Sequence, residues 1–293
     1  MKTIGLMSFA GVMLIAQFAA AQEFTEKIEK KLAFEKKGAQ NALVVSNING
    51  SINVVGYEGD EILVEVNKKI TAKTSARLEK GKQELQLGVV NDVDTIYLYV
   101  QDGCNIFSRH ARNRWSRNDW GYDSDCRDCN IEYDYAMDFT IKVPSNINVA
   151  VSTINEGDVL VENVKGAVEA NNINGSIQLA KLVGEARAST INGDLDVDYL
   201  NNPPKDCRFY SLNGDINALF PKGLAAELSF ESFNGEFFTN IDQIQPLPMS
   251  VVKNDEKKNG TKYKVNGNRY QVGNGGVYLD FETFNGNVYL KEK

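Results

Sequence analysis

Short segments in which apolar and polar residues alternate recur along the second half of the chain. In Leu195–Tyr199 every second residue is apolar, and the residues between are aspartates. Ile177–Leu179 alternates in the same way around Gln178. Because successive side chains of a β-strand point to opposite faces, this pattern predicts strands with one buried and one exposed face. The chain is therefore expected to be all-β.

A repeated signature, an apolar residue followed by Asn-Gly, accompanies these segments. It occurs at Ile48-Asn49-Gly50, Ile173-Asn174-Gly175, Ile191-Asn192-Gly193, Leu212-Asn213-Gly214, Phe233-Asn234-Gly235 and Phe284-Asn285-Gly286, and with one inserted residue at Ile154-Asn155-Glu156-Gly157. From Gly157 the signature glycines advance by 18, 18, 21 and 21 residues to Gly235, and the step to Gly286 is 51 residues. A period of about 20 residues indicates stacked structural units.

Each unit contains a second turn, and therefore two short strands. Breaks at Gly166 and Gly184 fall midway between the first signatures and are also 18 residues apart. This organisation predicts a parallel β-solenoid in which each layer contains 18–21 residues. The alternative is an antiparallel meander, because Asn-Gly is also a strong hairpin signal. The constant residue type before Asn-Gly favours the solenoid.

In a solenoid, equivalent residues of successive layers lie about 4.8 Å apart. The residues before Asn-Gly are then expected to form an apolar column in an interior that widens towards the C-terminus; they are Ile48, Ile173, Ile191, Leu212, Phe233 and Phe284. The asparagines are expected to form a ladder of stacked amides, although local turn chemistry would also explain their recurrence.

The front half of the chain is less regular. Longer strands are predicted at 62–70, 84–90, 95–100 and 133–143, whereas 23–38 fits either a helical turn or a strand. Because an open solenoid end invites edge pairing, these strands are expected to cap the first layer. An insertion at about 242–275, with predicted strands at 263–265 and 270–272, indicates a projecting hairpin.

The N-terminus has the pattern of a secretory signal peptide over residues 1–21. Lys2 is followed by the apolar stretch 4–18 and by small residues up to Ala21. The predicted divisions are this signal, an N-terminal layer with capping strands over 22–150, and the repeats over 151–293. No later segment is long and apolar enough to span a membrane. We therefore expect an exported protein, in the periplasm or at the cell surface.

The order of these elements resembles that of a known group of families. A first Asn-Gly unit, long strands, the strand Ile141–Pro144 and several Ser/Thr-Ile-Asn-Gly units are similar to the bacterial putative-adhesin families of unknown function built from β-strand repeats, including those named for a head "GIN" motif. The resemblance covers roughly residues 40–293. It implies a parallel β-solenoid, an envelope or surface location and no established catalytic residues. The Cys- and Trp-rich segment and the C-terminal hairpin depart from it and inherit no role.

Segment 102–130 concentrates unusual residue types between two predicted strands. Tryptophan and arginine are enriched at interface hot spots, and tryptophan also stacks on sugar faces. Its candidate binding residues for a glycan or an envelope protein are Trp115, Trp120, Arg112, Arg114 and Arg117. The alternative is that the tryptophans fold over the end of the solenoid as a lid.

Four cysteines in an exported chain most simply form two disulfides. Cys104 is expected to pair with Cys126 or Cys129, which leaves Cys207 to tie the segment to a later layer. A zinc site formed by Cys104, His110, Cys126 and Cys129 has suitable residue types, but its spacing matches no familiar zinc motif. A redox Cys-x-x-Cys centre would require a βαβ context that the sequence lacks.

Acidic residues recur just after the signature glycines. A stacked structure would place Asp158, Ser176, Asp194, Asp215 and Glu236 in one outer strip, which Asp196 and Asp198 widen. Neighbouring carboxylates repel one another, and Ca²⁺ would relieve that repulsion. A solvated acidic face that prevents side-by-side association is the alternative that we favour.

Composition excludes several classes of function. A net charge of −7 argues against binding to nucleic acid, and a single histidine argues against triads and multi-histidine metal centres. No phosphate loop or nucleophile elbow is present, and no cofactor is expected. The sequence therefore predicts a non-catalytic, adhesin-like binding or scaffold protein. The alternative is a polysaccharide-active β-helix enzyme that uses paired carboxylates.

Overall fold

The computed structural model describes residues 21–38, 40–109, 120–123, 130–256, 260–266 and 268–293. The strands before residue 145 are β1 (Gln22–Leu32), β2 (Ala42–Ser46), β3 (Ile52–Tyr57), β4 (Ile62–Ala72), β5 (Gln86–Asp92), β6 (Thr95–Gln101), β7 (Ile106–Arg109), β8 (Trp120–Asp123) and β9 (Asp134–Pro144). The described part of this region also contains one helix, α1 (Ser75–Glu84).

Sixteen further strands follow in the described residues. They are β10 (Asn148–Thr153), β11 (Val159–Glu162), β12 (Val168–Asn172), β13 (Ile177–Leu182), β14 (Ala186–Asn192), β15 (Leu195–Tyr199), β16 (Cys207–Asn213), β17 (Ile216–Phe220), β18 (Ala226–Asn234), β19 (Phe237–Thr239), β20 (Ile244–Pro246), β21 (Ser250–Glu256), β22 (Gly260–Asn266), β23 (Arg269–Val272), β24 (Val277–Asn285) and β25 (Val288–Glu292).

Two large mixed sheets contain most of these strands. Sheet 1 has the order β1-β4-β9-β3-β11-β13-β15-β17-β25-β19. Sheet 2 has the order β20-β23-β18-β24-β16-β14-β12-β10-β2-β6-β5. The hairpins β7–β8 and β21–β22 form small antiparallel sheets of their own. The prediction of an all-β chain is confirmed.

The central strands of both sheets pair in parallel, and their registers follow the sequence repeat. In sheet 1, Val159 of β11 pairs with Ile177 of β13, which pairs with Leu195 of β15. In sheet 2, Ala170 of β12 pairs with Ala188 of β14. Each Asn-Gly corner therefore joins a strand of sheet 2 to the next strand in sheet 1, rather than two hydrogen-bonded neighbours as in a meander. We call one such strand pair with its corner a layer.

Antiparallel strands extend both sheets beyond these layers. Strand β4 pairs antiparallel with β9 and β1 with β4, while β5 pairs antiparallel with β6. At the other end β23 and β20 are also antiparallel. A uniformly parallel β-solenoid is therefore the wrong description of the whole chain, because antiparallel strand pairs form both ends of the sheets. The longer strands of the front half lie at one end of the two sheets.

The order of layers in space differs from their order along the chain. Strands β24 and β25 lie between β16/β17 and β18/β19, pairing in parallel on both sides. The 51-residue step to Gly286 therefore does not add a layer at the end of the stack. The segment between β19 and β24 allows the chain to return and occupy a position inside it.

The interior lies between the two sheets and is filled by alternate strand residues. Small side chains, Ala170 and Ala188, are buried in the earlier layers of sheet 2, and Phe209 and Phe281 occupy the equivalent positions in later layers. The Phe209 and Phe281 rings stack with centroids 5.3 Å apart. Large rings thus fill the later layers, but they are not the residues that precede Asn-Gly.

The apolar column predicted for the interior lies instead on the outer surface. Phe233 is 74% exposed and Phe284 is 44% exposed, while the equivalent aliphatic residues are partly exposed. The reason is strand alternation: Thr190 points inward and is fully buried, so Ile191 must point outward. We call the outward column the apolar stripe; its members are Ile48, Ile154, Ile173, Ile191, Leu212, Phe284 and Phe233.

The ambiguous segment 23–38 contains strand β1, which pairs along its whole length with β4. Helix α1 was not predicted, because it is largely polar and buries only Leu78 and Gly81. Thr74 caps its N-terminus by accepting the N–H of Arg77. The insertion at about 242–275 contains a hairpin, β21–β22, but only one of its two predicted strands belongs to it: 263–265 lies in β22, whereas 270–272 lies in β23, which pairs with β18 and β20 in sheet 2. Within the described residues, none of the helical structure has the length and apolar character needed to cross a membrane.

Candidate functional site

The asparagines of the corners form a continuous ladder of amide hydrogen bonds. Each side-chain Nδ2 donates to the side-chain Oδ1 of the asparagine in the next layer, over 2.8–3.1 Å. From donor to acceptor the ladder runs through Asn234, Asn285, Asn213, Asn192, Asn174 and Asn155 and ends at Asn49, which accepts. The predicted amide ladder is confirmed. Its order also follows the returned position of the last strand pair, which places Asn285 between Asn213 and Asn234.

A second, buried row of donors supports the corners from inside. The hydroxyl of Thr190 donates to the carbonyl of Gly175 over 2.8 Å, and that of Ser211 donates to Gly193 over 2.9 Å. Thr190 and Ser211 are fully buried. Sequence analysis missed this role, although a Ser, Thr or Asn two positions before the signature asparagine was the available signal.

The residues after the signature glycines form the predicted outer strip. Asp158 accepts the backbone N–H of Ser176 over 2.7 Å, and Asp194 accepts that of Asp215 over 2.9 Å. Glu236, the last member, donates its backbone N–H to Asn287 over 3.0 Å. Backbone donors therefore offset the repulsion between neighbouring carboxylates at these corners.

Calcium binding along this strip remains a prediction. No group of three metal-ligating side chains that could hold an ion is found among the described residues, which include every member of the strip. Asp196 lies on the outer face of sheet 1 and accepts the Nδ2–H of Asn217 over 2.9 Å. It therefore belongs to a different row from the corner carboxylates.

The apolar stripe ends in a pair of exposed aromatic rings. Phe233 and Phe284 stack with centroids 4.8 Å apart and ring planes only 3° from parallel. Seven layers spaced by about 4.8 Å give the stripe a length of about 29 Å. Exposed apolar side chains arranged contiguously are typical of binding surfaces on soluble proteins.

A shallow groove lies on the outer face of sheet 1. Its volume is about 300 Å³, and its polar lining includes Gln178, Asp196, Asn217, Tyr289 and Lys291. The ring of Tyr289 stacks on that of Phe238 with centroids 5.1 Å apart, and Phe238 is 42% exposed. Sequence analysis missed the groove because its lining residues come from separate repeats. The available signal was an aromatic residue five positions after Phe233 and after Phe284.

The base of segment 102–130 is anchored on the same protein body. Asp102 is buried and accepts the backbone N–H groups of Cys104 and Asn105 over 2.8 and 2.6 Å. The hydroxyl of Tyr135 donates to Asp102 over 2.7 Å, and burial is the main cause that raises the pKa of Tyr135. A raised pKa keeps this hydroxyl protonated and able to donate.

Hairpin β7–β8 covers part of the outer face of sheet 2. Phe107 stacks on Tyr99 with centroids 4.4 Å apart, and the Tyr122 hydroxyl lies 2.8 Å from the carbonyl oxygen of Ser46. The Tyr122 side chain is buried, so it does not contribute to the exposed surface of the hairpin.

The candidate binding residues of this segment are only partly described. Trp115, Arg112, Arg114 and Arg117 lie outside the described residues, and of Trp120 only the backbone, at the start of β8, is described. Their role as a contact region remains a prediction.

Cys207 is a free, buried thiol, so the predicted disulfide from the segment to a later layer is wrong. Its Sγ lies 3.2 Å from the hydroxyl oxygen of Tyr199, and burial is the main cause that raises the pKa of the thiol. The side chain fills space between strands instead of crossing to a partner. His110, Cys126 and Cys129 lie outside the described residues. The pairing of Cys104 and the zinc alternative therefore remain predictions.

No family model and no curated protein matches the chain. Three solved structures are similar to it, each over 92% of this chain. A "putative cell adhesion protein" from Clostridium sporogenes is 14% identical, with 100% of its chain covered and a TM-score of 0.43. A "putative adhesin" from Bacteroides fragilis is 11% identical, with 97% covered and a TM-score of 0.32. A "putative lipid binding protein" from Parabacteroides distasonis is 11% identical, with 97% covered and a TM-score of 0.26. At these TM-scores the likeness carries no argument about what this chain binds.

Proposed function

We propose that the protein is an exported, non-catalytic, adhesin-like binding protein of the bacterial envelope or cell surface, and that its central layers form a short β-solenoid. The observation that carries this proposal is the apolar stripe, which ends in the stacked and exposed rings of Phe233 and Phe284. A hydrogen-bonded frame that holds aromatic side chains towards solvent favours binding, because little side-chain entropy remains to be lost.

The corner carboxylates support a structural role rather than a hydrolytic one. Asp158 and Asp194 each accept a backbone N–H from the neighbouring layer. Glycoside hydrolysis would instead require two carboxyl groups that face each other across a substrate. The proposal also keeps segment 102–130 as a second contact region through Trp115 and Trp120.

Binding can be tested by sedimentation with washed bacterial envelopes, using a chain that begins at residue 22. We expect saturable sedimentation that is reduced severalfold by the double substitution Phe233→Ser/Phe284→Ser. Val93→Ser is the matched control, since Val93 is 57% exposed but lies at the β5–β6 turn, away from the stripe. A parent chain that stays in the supernatant would refute the proposal.

Two further measurements complete this test. Release of reducing sugar from the envelopes by the parent chain would favour the polysaccharide-active alternative and contradict a non-catalytic role. Trp115→Ala/Trp120→Ala is expected to weaken sedimentation as well. Unchanged binding by that variant would remove segment 102–130 from the proposed contact region.

A further inference from the structure

Six corners of the chain carry the same chemically labile pair, an asparagine followed by glycine. The backbone nitrogen of the glycine can attack the side-chain Cγ of the asparagine, because glycine has no Cβ atom to obstruct the approach. The new N–Cγ bond closes a succinimide ring, and the Cγ–Nδ2 bond breaks to release ammonia, which carries away the proton of the glycine N–H. Water then opens the ring to aspartate or isoaspartate. Since water is the only reagent, the structure around each pair decides where the reaction occurs.

Five of the six corners keep both reacting groups occupied. The glycine N–H groups donate to the backbone carbonyl of the asparagine in the neighbouring layer, over 2.9–3.1 Å, at Gly50, Gly175, Gly193, Gly214 and Gly286. In the same five corners the asparagine Oδ1 accepts an amide N–H from the next side chain of the ladder. Both bonds must break before the nitrogen and the side chain can turn towards each other.

The last corner in space, Asn234-Gly235, differs from the other five. Among the described residues, no acceptor is found for the Gly235 N–H and no donor for the Asn234 Oδ1. The Asn234 Nδ2 keeps one ladder bond, to Asn285 over 2.8 Å. Both residues of the pair are exposed. The cause is topological: β19 is the outermost strand of sheet 1, and β23 covers β18 only over Ala226–Ser229.

Support from one side only also makes this corner easier to open. Ring closure requires the backbone to rotate out of the extended conformation, and Asn234 is the last residue of β18. Asn213, in contrast, is bonded to the layers on both sides through its own amide. Local opening costs less free energy where fewer contacts break. The reactive conformation is therefore reached more often at Asn234 than at an inner corner.

We infer that Asn234 is a site of spontaneous covalent modification, converted to aspartate and isoaspartate in the folded protein while the other five corner asparagines persist. Either product loses the amide donor of the last ladder bond and gains a carboxylate close to Glu236. Isoaspartate also lengthens the main chain by one methylene group, which moves β19 out of its register with β25. The site itself does not depend on the proposed function, whereas its effect on binding by Phe233 and Phe284 does.

Timed incubation of the chain that begins at residue 22, at mildly alkaline pH, tests the inference. Proteolysis and tandem mass spectrometry quantify each corner, and methylation by protein isoaspartate methyltransferase identifies isoaspartate. We expect Asn234 to be modified about tenfold faster than Asn213 and Asn285, equivalent to about 1.4 kcal/mol, which is the order of the two hydrogen bonds that it lacks. The Asn-Gly pairs outside the ladder are quantified separately; they begin at Asn259, Asn266 and Asn274.

Two controls separate structure from local sequence. In urea all six asparagines precede glycine in an unfolded chain, so they should be modified at similar rates and the preference for Asn234 should disappear. Asn234→Ala removes the amide that Asn285 accepts, so modification at Asn285 should accelerate severalfold. Asn192, three layers further along the ladder, should keep its rate in this variant.

Envelope sedimentation measures the effect on binding. Asn234→Asp mimics one product and is expected to sediment severalfold less than the parent, because a charge beside the exposed rings opposes apolar contact. Asn67→Asp is the matched control, since it adds the same charge on the exposed face of β4, away from the apolar stripe.

Two results would overturn the inference. One is modification of Asn234 in the folded chain no faster than that of Asn213 and Asn285. The other is an equal preference for Asn234 in urea, which would assign it to local sequence. Parental sedimentation of Asn234→Asp would refute the effect on binding. A fresh parent chain that fails to sediment would refute the proposed function alone, because the modification is measured without envelopes.

Discussion

The buried hydroxyl of Thr190 offers a quantitative test of what holds the layers together. It is fully buried and donates to the carbonyl oxygen of Gly175 over 2.8 Å. Thr190→Val keeps nearly the same shape but removes the donor, so the carbonyl is left without this partner in an interior that excludes water. Leaving a buried polar group unsatisfied costs about 1–3 kcal/mol. We expect the free energy of unfolding to fall by about 2 kcal/mol.

The matched control is Thr140→Val, because Thr140 lies on the exposed face of β9. This change should alter the free energy of unfolding by no more than about 0.5 kcal/mol. Equilibrium urea titration, followed by both far-ultraviolet circular dichroism and tyrosine fluorescence, measures the two values at constant m. Equal effects of the two substitutions, or a stabilised Thr190→Val variant, would refute the assigned role of the buried donor row.

Two other predictions follow from close packing between layers. Gly214→Ala would place a Cβ atom 2.1 Å from the carbonyl oxygen of Gly193, so we expect the free energy of unfolding in urea titration to fall by about 2–3 kcal/mol. Gly38→Ala is the control, because its Cβ atom would have its nearest contact at 3.8 Å, and this change should be nearly neutral. Equal losses in the two variants would contradict this prediction. Because burial raises the pKa of the Cys207 thiol, the folded protein keeps its proton at pH 8, and iodoacetamide should label Cys207 far more slowly than in urea, as mapped by mass spectrometry. Equal labelling rates would show that the thiol is accessible.

The sequence repeat predicted the local features of this fold well, because they depend on spacing and residue type. The amide ladder and the two strands per unit both follow from a fixed period. The prediction that the residues before Asn-Gly point into the interior was wrong: they point outward, because a shift of one position on a strand moves a side chain to the opposite face. Ile191 and Thr190 illustrate this, since only the polar member of the pair is buried.

The sequence repeat could not predict the features that depend on contacts between distant segments. The long gap before Gly286 did not reveal on which side of β18 the last strand pair would lie. The groove was invisible because Asp196 and Tyr289 are brought into one row only through β17, which lies between their strands. Helix α1 lacks the apolar periodicity by which a helix is recognised, and it forms on the support of the neighbouring strands.

The returned position of β24 and β25 has a consequence for assembly during synthesis. Strands β18 and β19 are synthesised before β24 and β25, which lie between them and β16 and β17 in the folded protein. The parallel neighbours of β18 and β19 therefore come from sequence that is made later. Pairings between distant segments slow folding, because loop closure must precede any stabilising contact. Loss of residues 277–293 would therefore remove one interior strand from each sheet and leave β18 and β19 without the strands that join them to β16 and β17, where an ordinary terminal deletion would only shorten the sheets.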